Sequence, residues 1–289
     1  MNAAPFITII IPTYNSENEI EGILYSIKNQ SFLSHEIVII DGKSTDNTLK
    51  IIKENNHLIS TWISEPDQGL YDAMNKGIKL AKGKYLCFLG ADDTIEKDAF
   101  KEIERVASST NADLIYGLAK NKLQNKIYGK KYNLESLTVP GKVMPHGAVF
   151  YRRDLLEKIG YFDLEYPIAA DVIFNIKAFS KAQNPVFINK VLYSFSGEGV
   201  SKDAIDTNFY QNIQRELTTI QQHIQDASTK ASLEINKKFY SILNQIIFKN
   251  YFIGVVELLF NCLRYRDFSY LKHALYHLRI RLFNKRKLI

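Results

Sequence analysis

Acidic side chains recur just after short apolar runs in this chain. Residues 6–12 (FITIIIP) lead to Thr13-Tyr14-Asn15, and residues 36–40 (EIVII) lead to Asp41-Gly42. Residues 61–63 lead to Glu65-Pro66-Asp67, and residues 85–89 (YLCFL) to Gly90-Ala91-Asp92-Asp93. Carboxylates so placed support a nucleotide site without a glycine cradle. One acid can read a base edge while another holds a divalent ion that bridges a diphosphate, since Mg²⁺ and Mn²⁺ prefer oxygen ligands and share their shell with substrate phosphates. Two other nucleotide chemistries are disfavoured. The first run is followed by P-T-Y-N-S-E where a dinucleotide fold carries G-x-G-x-x-G, and G-x-x-x-x-G-K-[ST] is absent.

The elements that must hold these acids alternate in type. The apolar runs are rich in β-branched residues and short enough for buried parallel strands. Between them, Ile20, Ile23, Leu24 and Ile27 follow helical spacing after a capping-box pattern at Ser16 and Glu19. A second helix is expected from about Thr45 or Asp46, and a third over residues 70–82. Alternating strands and helices predict an α/β fold, a mostly parallel sheet covered on both faces, in which ligands bind beyond the carboxyl ends of the strands. From about residue 111 to 199 the pattern is less regular and suits an α+β lobe for an acceptor. There, strands are expected at 113–116 and 148–151, a polar hairpin within 120–133 and a helix over 171–181.

The chain has 289 residues and a net charge of +6, with 46% hydrophobic and 24% charged residues, which excludes a disordered or fibrous protein. The charge is divided unevenly. Residues 230–289 hold twelve Lys or Arg against three Asp or Glu, a net +9, and the preceding 229 residues carry −3. Cys87 and Cys262 are too few and too far apart for a disulfide framework or a zinc knuckle. Met1-Asn2-Ala3-Ala4-Pro5 leads directly into a strand, without a secretory leader pattern, so the expected location is cytoplasmic.

The runs ITIIIPTYN, VIIDGKSTDNT and SEPDQGLYDAMNKGIKLAKGKYLCFLGADD, followed by PHGAVFYRRDLLEKIGYFD and PIAADVIFNIKAF, resemble glycosyltransferase family 2. These are inverting nucleotide-sugar transferases of GT-A fold, including those that build bacterial surface polysaccharides. The resemblance covers roughly residues 6–201 in motif order. It implies that Pro12, Thr13 and Tyr14 line a nucleotide pocket, and that Asp41 accepts a hydrogen bond from the uracil N–H. It places Asp67 and Asn75 on the ribose and diphosphate side. Asp92 would be the metal-binding acid of the D-x-D element, with Asp93 beside it, for Mn²⁺ or Mg²⁺. Asp171 matches the general base, and His146 would assist the diphosphate or the acceptor. The chain departs from the pattern twice. Gly90 replaces the first acid of D-x-D, and Ala170-Asp171 replaces the common Glu-Asp pair.

The implied activity is transfer of a hexose or N-acetylhexosamine from a UDP-sugar to a lipid-diphosphate-linked or oligosaccharide acceptor, giving a β-linkage. A polyprenyl-phosphate glycosyl synthase and a non-catalytic nucleotide-sugar-binding subunit are the alternatives. Plainer readings stand beside each role. Asp92-Asp93 fits a turn and helix cap, Asp41 an Asx turn, Asp171 an N-cap, Asp67 a turn acid and His146 a structural histidine. Gly197–Ser201 suits either a phosphate-cradling loop or an ordinary turn.

The expected organisation is a GT-A domain over 1–229, with a nucleotide part to about 110 and an acceptor part to 229, and a helical extension over 230–289. Residues 239–263 are nearly helical in pattern but are interrupted by Lys249, Asn250, Glu257 and Asn261, which disfavours a membrane span. Leu271, Leu275, Leu278 and Leu282 form a stripe among basic residues. This suits an amphipathic helix on an anionic membrane surface, at the inner face of the cell membrane. Packing on the catalytic body or a homodimer seam are the competing uses. No nucleic-acid recognition motif accompanies the charge.

Overall fold

The computed structural model describes residues 4–139, 143–165, 170–196, 214–215, 217–218, 221–222, 227–244, 258 and 261–262. They belong to two units, residues 1–132 with 143–203, and residues 133–142 with 204–289.

The first unit is built on the alternation legible in the sequence. β1 (Ile7–Thr13) is buried along its whole length, as expected of a continuous apolar run at the centre of a parallel sheet. It pairs in parallel with β2 (His35–Asp41) on one side and with β4 (Tyr85–Phe88) on the other. β3 (Thr61–Ser64) adds in parallel to the outer edge of β2. The connecting helices are α1 (Ile20–Lys28), α2 (Thr48–Glu54) and α3 (Leu70–Leu80). The chain therefore winds outward through β1, β2 and β3, then crosses back to place β4 on the far side of β1. That reversal is the switch point where an open α/β sheet leaves a crevice for ligands.

Beyond β4 the sheet becomes mixed. β8 (Val149–Arg152) runs antiparallel between β4 and β6 (Leu114–Asn121), and β9 (Pro185–Phe195) lies parallel to β6. β5 (Thr94–Ile95) is antiparallel to β9, and β7 (Lys126–Tyr128) forms a hairpin with β6. The strand order is β3-β2-β1-β4-β8-β6-β9-β5, with β7 attached to β6. Among the described residues six strands run one way and three the other, which agrees with a mostly parallel sheet. The hairpin falls within the polar stretch expected to hold one. β9 and β5 had no counterpart in the sequence reading.

Helices cover both faces. On one face α1 and α4 (Ala99–Thr110) bury Ile23, Ile27, Phe100 and Ile103 against Ile9, Ile37, Cys87 and Phe150. On the other, α3 approaches β1 so closely that a Cβ on Gly77 would lie 2.3 Å from Ile10 Cγ2. Among the described residues this unit also has α6 (Arg153–Ile159) and α7 (Ala170–Lys181).

One local expectation is corrected. Helix α1 begins at Ile20, and no capping box forms. Ser16 instead receives Ile20 N–H on its carbonyl, donates its hydroxyl to Tyr14 O, and gives its own N–H to Thr48 Oγ1. Glu17 Oε2 accepts both N–H groups of Asn47. Bonds between the β1–α1 and β2–α2 loops have outcompeted the local cap.

In the second unit α5 (Leu134–Leu137) has an Asn133–Ser136 capping box, and Asn236 Nδ2 of α8 (Ala227–Asn244) donates to Oγ1 of Thr138, the residue that follows α5, at 2.8 Å. Among the described residues no helix is long and apolar enough to cross a membrane. The Gly197–Ser201 segment, most of the apolar run at 239–263 and the leucine stripe at 271–282 lie outside the described residues.

Candidate active site

The ends of β1, β2 and β3 are aligned by register, Thr13 opposite Asp41 and Asp41 opposite Ser64. This places Asp41 between two neighbouring strands, and the carboxylate is fully buried. Its Oδ2 accepts Ser44 N–H at 3.0 Å and Ser64 Oγ–H at 2.6 Å, and its Oδ1 accepts the Ser44 hydroxyl. Three donors take three of the roughly four lone-pair positions that a carboxylate offers. Asp41 is thus the hub of the β2 end, with about one acceptor position left.

Around this hub, Pro12 and Thr13 are buried, while Tyr14 projects at 62% exposure. Asp67 comes to the same place. A Cβ on Gly42 would meet Asp67 Oδ2 at 2.6 Å and Tyr14 Cδ2 at 3.4 Å, so the missing side chain at Gly42 lets these groups approach the β2 end. Asp67 Oδ1 accepts Gly69 N–H at 2.9 Å. Asn15 and Lys43, just past β1 and β2, adopt left-handed backbone with φ of 47° and 66°. Such non-glycine conformations mark loops held in shape by their surroundings. Here Asn15 is held by its N–H on Ser44 Oγ and by its Oδ1, which accepts Thr45 N–H.

Asn75, on α3, bonds to the later half of the unit. Its Nδ2 donates to Phe162 O and its Oδ1 accepts Phe162 N–H, both at 2.8 Å. The amide braces the 160–165 loop on α3.

The second group of acids follows β4. Asp92 Oδ2 accepts the Ser196 hydroxyl at 2.7 Å, and Asp93 Oδ2 accepts Gly90 N–H at 2.7 Å. A Cβ on Gly90 would stand 2.8 Å from Asp92 Oδ1 and 3.4 Å from Asp93 Oδ2, so both carboxylates border the same small space. Burial pushes the Asp93 carboxyl up to about 7; the Gly90 N–H opposes this, the Asp92 charge adds to it and Lys122 opposes it. Two oxygen-only acids facing one space suit a hard divalent ion. Among the described residues no group of three or more His, Cys, Asp or Glu gathers as a metal cage. Asp92 and Asp93 are the residues that would hold such an ion.

The raised Asp93 value has a measurable consequence. The folded state retains this proton above the ordinary carboxyl range of about 4. Stability then falls as pH rises from about 4 to about 7, and levels off above. Asp93→Asn is expected to melt above the wild type at pH 8 but to gain little at pH 4, both without divalent ions. An equal gain at both pH values in thermal melts would contradict this origin of the strain.

The third group comes from the later half of the unit. His146 opens a 3₁₀ turn (His146–Ala148); its ring stacks on Phe88 at 5.4 Å and meets Phe162 edge-on at 5.8 Å. Burial pushes the imidazole below its ordinary value, and the Asp171 charge pulls the other way. Both ring nitrogens are buried without a hydrogen-bond partner. A buried polar atom left unpaired costs about 1–3 kcal/mol, and a neutral ring carries one donor and one acceptor. Asp171 lies in the first turn of α7, where the helix dipole favours a carboxylate. Its Oδ1 accepts the Tyr71 hydroxyl at 2.9 Å.

Tyr193 links the second and third groups. Burial raises its phenol well above the ordinary range, the charges of Asp93, Asp171 and Asp92 act in the same direction, and the Gly147 N–H opposes them. Tyr193 lies opposite Ile95 of β5, three residues before the Ser196 that bonds Asp92, and its ring packs against Gly147, next to His146. Tyr71, Tyr193, Ser44, Ser64 and Ser196 were all missed from sequence. Ser64 was recoverable by aligning the ends of β2 and β3, and Ser44 from its place three residues after Asp41. Nothing local singles out Tyr193 or Ser196, which lie on and just beyond the unforeseen strand β9.

A twisted, mostly parallel sheet with acids beyond its carboxyl ends and a mixed later half is the GT-A arrangement. The same fold is found in Staphylococcus aureus TarS 1–349 in complex with UDP-GlcNAc, with a TM-score of 0.67 at 23% identity, over 84% of this chain and 73% of that one. It is also found in the mannosyltransferase PcManGT of Pyrobaculum calidifontis in complex with GDP-Man and Mn²⁺, with a TM-score of 0.63 at 16% identity, over 96% and 85%. In sequence, the chain is 34% identical over 221 residues to a PGL/p-HBAD biosynthesis glycosyltransferase of Mycobacterium bovis, covering 73% of this chain and 85% of the relative. It is 26% identical over 226 residues to TarS, the poly(ribitol-phosphate) beta-N-acetylglucosaminyltransferase, covering 72% of this chain and 39% of the length of TarS. The profile of glycosyl transferase family 2 matches residues 8–160. The chain belongs to glycosyl transferase family 2, and it is a glycosyltransferase.

Proposed function

We propose that this enzyme moves a hexose or N-acetylhexosamine from a UDP-sugar to a lipid-diphosphate-linked glycan with inversion, giving a β-linkage, in the assembly of a surface polysaccharide. The observation that carries this reading is that one unit holds two sets of acids from positions some eighty residues apart, Asp92 and Asp93 bordering one space after β4 and Asp171 bonded to Tyr71 of α3. An inverting transfer needs a base for the acceptor and charge compensation for the leaving diphosphate, and these are the two functions that the acids can divide.

Asp171 takes the proton of the acceptor hydroxyl on Oδ2, while Tyr71 holds Oδ1. The acceptor oxygen forms its bond to C1 as the C1–O bond to the diphosphate breaks, and UDP leaves with that electron pair. Asp92, with Asp93 beside it, would hold Mn²⁺ or Mg²⁺, which supplies positive charge to the diphosphate when bound. Thr13, Asp41, Tyr14 and Asp67, with Pro12 beneath them, form the nucleotide side. The unpaired imidazole of His146 serves the diphosphate or the acceptor.

Support for a surface-glycan substrate comes from the relatives, a PGL/p-HBAD biosynthesis glycosyltransferase and a poly(ribitol-phosphate) beta-N-acetylglucosaminyltransferase. The lipid-linked acceptor and a peripheral position at the inner membrane face rest on the +9 charge of residues 230–289. Incubation with a panel of UDP-sugars, Mn²⁺ and lipid-diphosphate-linked acceptors is expected to release UDP and to yield a product of inverted anomeric configuration by NMR. UDP binding by calorimetry, without turnover across the panel, would overturn the reading.

A further inference from the structure

Asp171 is the only acid of the candidate site carried on α7, and its orientation depends on a contact that the family motifs do not announce. Tyr71 and Asn75 are four residues apart on α3 and so share one face; Asp171 and Phe174 are three apart on α7 and share another. Phe162 fills the space between the two helices. Its ring stacks on Tyr71 at 5.4 Å and 26°, and on Phe174 at 3.9 Å and 18°. Both main-chain groups of Phe162 are held by the Asn75 amide. Tyr71 itself is only 7% exposed, so its ring has little freedom to swing, and its hydroxyl reaches Asp171 Oδ1 at 2.9 Å.

We infer that Tyr71 is a positioning residue. Its hydroxyl fixes the rotamer of Asp171 so that Oδ2 faces the acceptor, and the Tyr71–Phe162–Phe174 stack, pinned by Asn75, ties α3 to α7. The inference rests on the proposed base role of Asp171. It adds a link between the two halves of the site. α3 follows directly from the Asp67 turn at the nucleotide side, so the Tyr71 bond sets the base relative to the bound donor. A carboxylate held by one oxygen loses rotamer freedom without losing its second oxygen as a proton acceptor.

Tyr71→Phe retains the ring and its stacking and removes only the hydroxyl. With UDP-hexoses and UDP-N-acetylhexosamines as donors and a lipid-diphosphate-linked sugar or water as acceptor, kcat is expected to fall about tenfold, the effect of one hydrogen bond to a charged acceptor. KM for the donor should stay within about twofold. In an Asp171→Asn background the same change should cost nothing further, because Tyr71 acts through Asp171. Equal losses in both backgrounds, or a rise in KM alone, would assign Tyr71 a purely structural role and overturn the inference. A crystal structure of Tyr71→Phe provides a readout that needs no substrate, and an unchanged Asp171 rotamer there would overturn it too. The two levels of the argument separate cleanly. Full activity in Asp171→Asn removes the base assignment, whereas an inactive Asp171→Asn beside a fully active Tyr71→Phe removes only the positioning role.

Discussion

Asp171→Asn is expected to lower kcat by about 10³-fold, within the range by which a positioned general base accelerates proton transfer. The substitution preserves shape, and its amide oxygen can still accept the Tyr71 hydroxyl, so the α3–α7 contact survives. UDP affinity and the melting temperature should therefore remain near their wild-type values. Single-turnover transfer measured beside UDP calorimetry separates these effects. Loss of UDP binding in step with activity would show that Asp171 serves the donor instead of the acceptor. Near-normal transfer would end its assignment as base. The expected size of the effect reflects the Ala170-Asp171 sequence, which leaves no second carboxylate beside it to substitute.

Asp41→Ala should act first on the fold. The substitution strands the Ser44 N–H and the hydroxyls of Ser44 and Ser64 around a fully buried position. Hydroxyls can turn toward other acceptors more easily than a fixed N–H, so the expected cost is about 3 kcal/mol, well below the sum for three orphaned donors. For a unit of this size that is a fall in Tm of roughly 6–12 °C. Asp41→Asn should recover only part of it, because its NH₂ would face donors. Because Asp41 retains about one acceptor position, UDP affinity should also fall, by about tenfold or more for a lost hydrogen bond to a charged acceptor. Thermal melts of each variant with and without UDP distinguish the two contributions. An unchanged Tm would mean that the Ser44 and Ser64 bonds do not depend on the carboxylate.

These two acids illustrate how differently a sequence discloses a site. Asp41 was legible because it ends a β-branched run and precedes glycine, a local pattern. The sequence did not show that it would be enclosed, because enclosure comes from β1 and β3 on either side and from Ser64 opposite it. Asn75 sits in a motif that pointed to the donor, yet its amide braces Phe162, 87 residues away. The capping box at Ser16 failed for a related reason, since partners across the neighbouring loop were available once the sheet had formed.

The sequence by itself determined the order of strands and helices from β1 to β4, and the placement of acids at the end of β2 and after β3 and β4. Strand and helix periodicities and turn residues are short-range properties, so they can be read along the chain. Only the tertiary structure decided which acids share a space, which are enclosed, and what holds them. The later half takes its place by pairing β8 with β4 and β9 with β6, contacts far apart in sequence that leave little local signature. Those pairings bring Ser196, just past β9, onto Asp92, and the packing of α7 sets Asp171 against a tyrosine one hundred residues earlier. Hydrogen bonds at 2.9 Å and rings at 3.9 Å are decided by how helices and sheet close-pack, and that packing is settled by the whole unit at once.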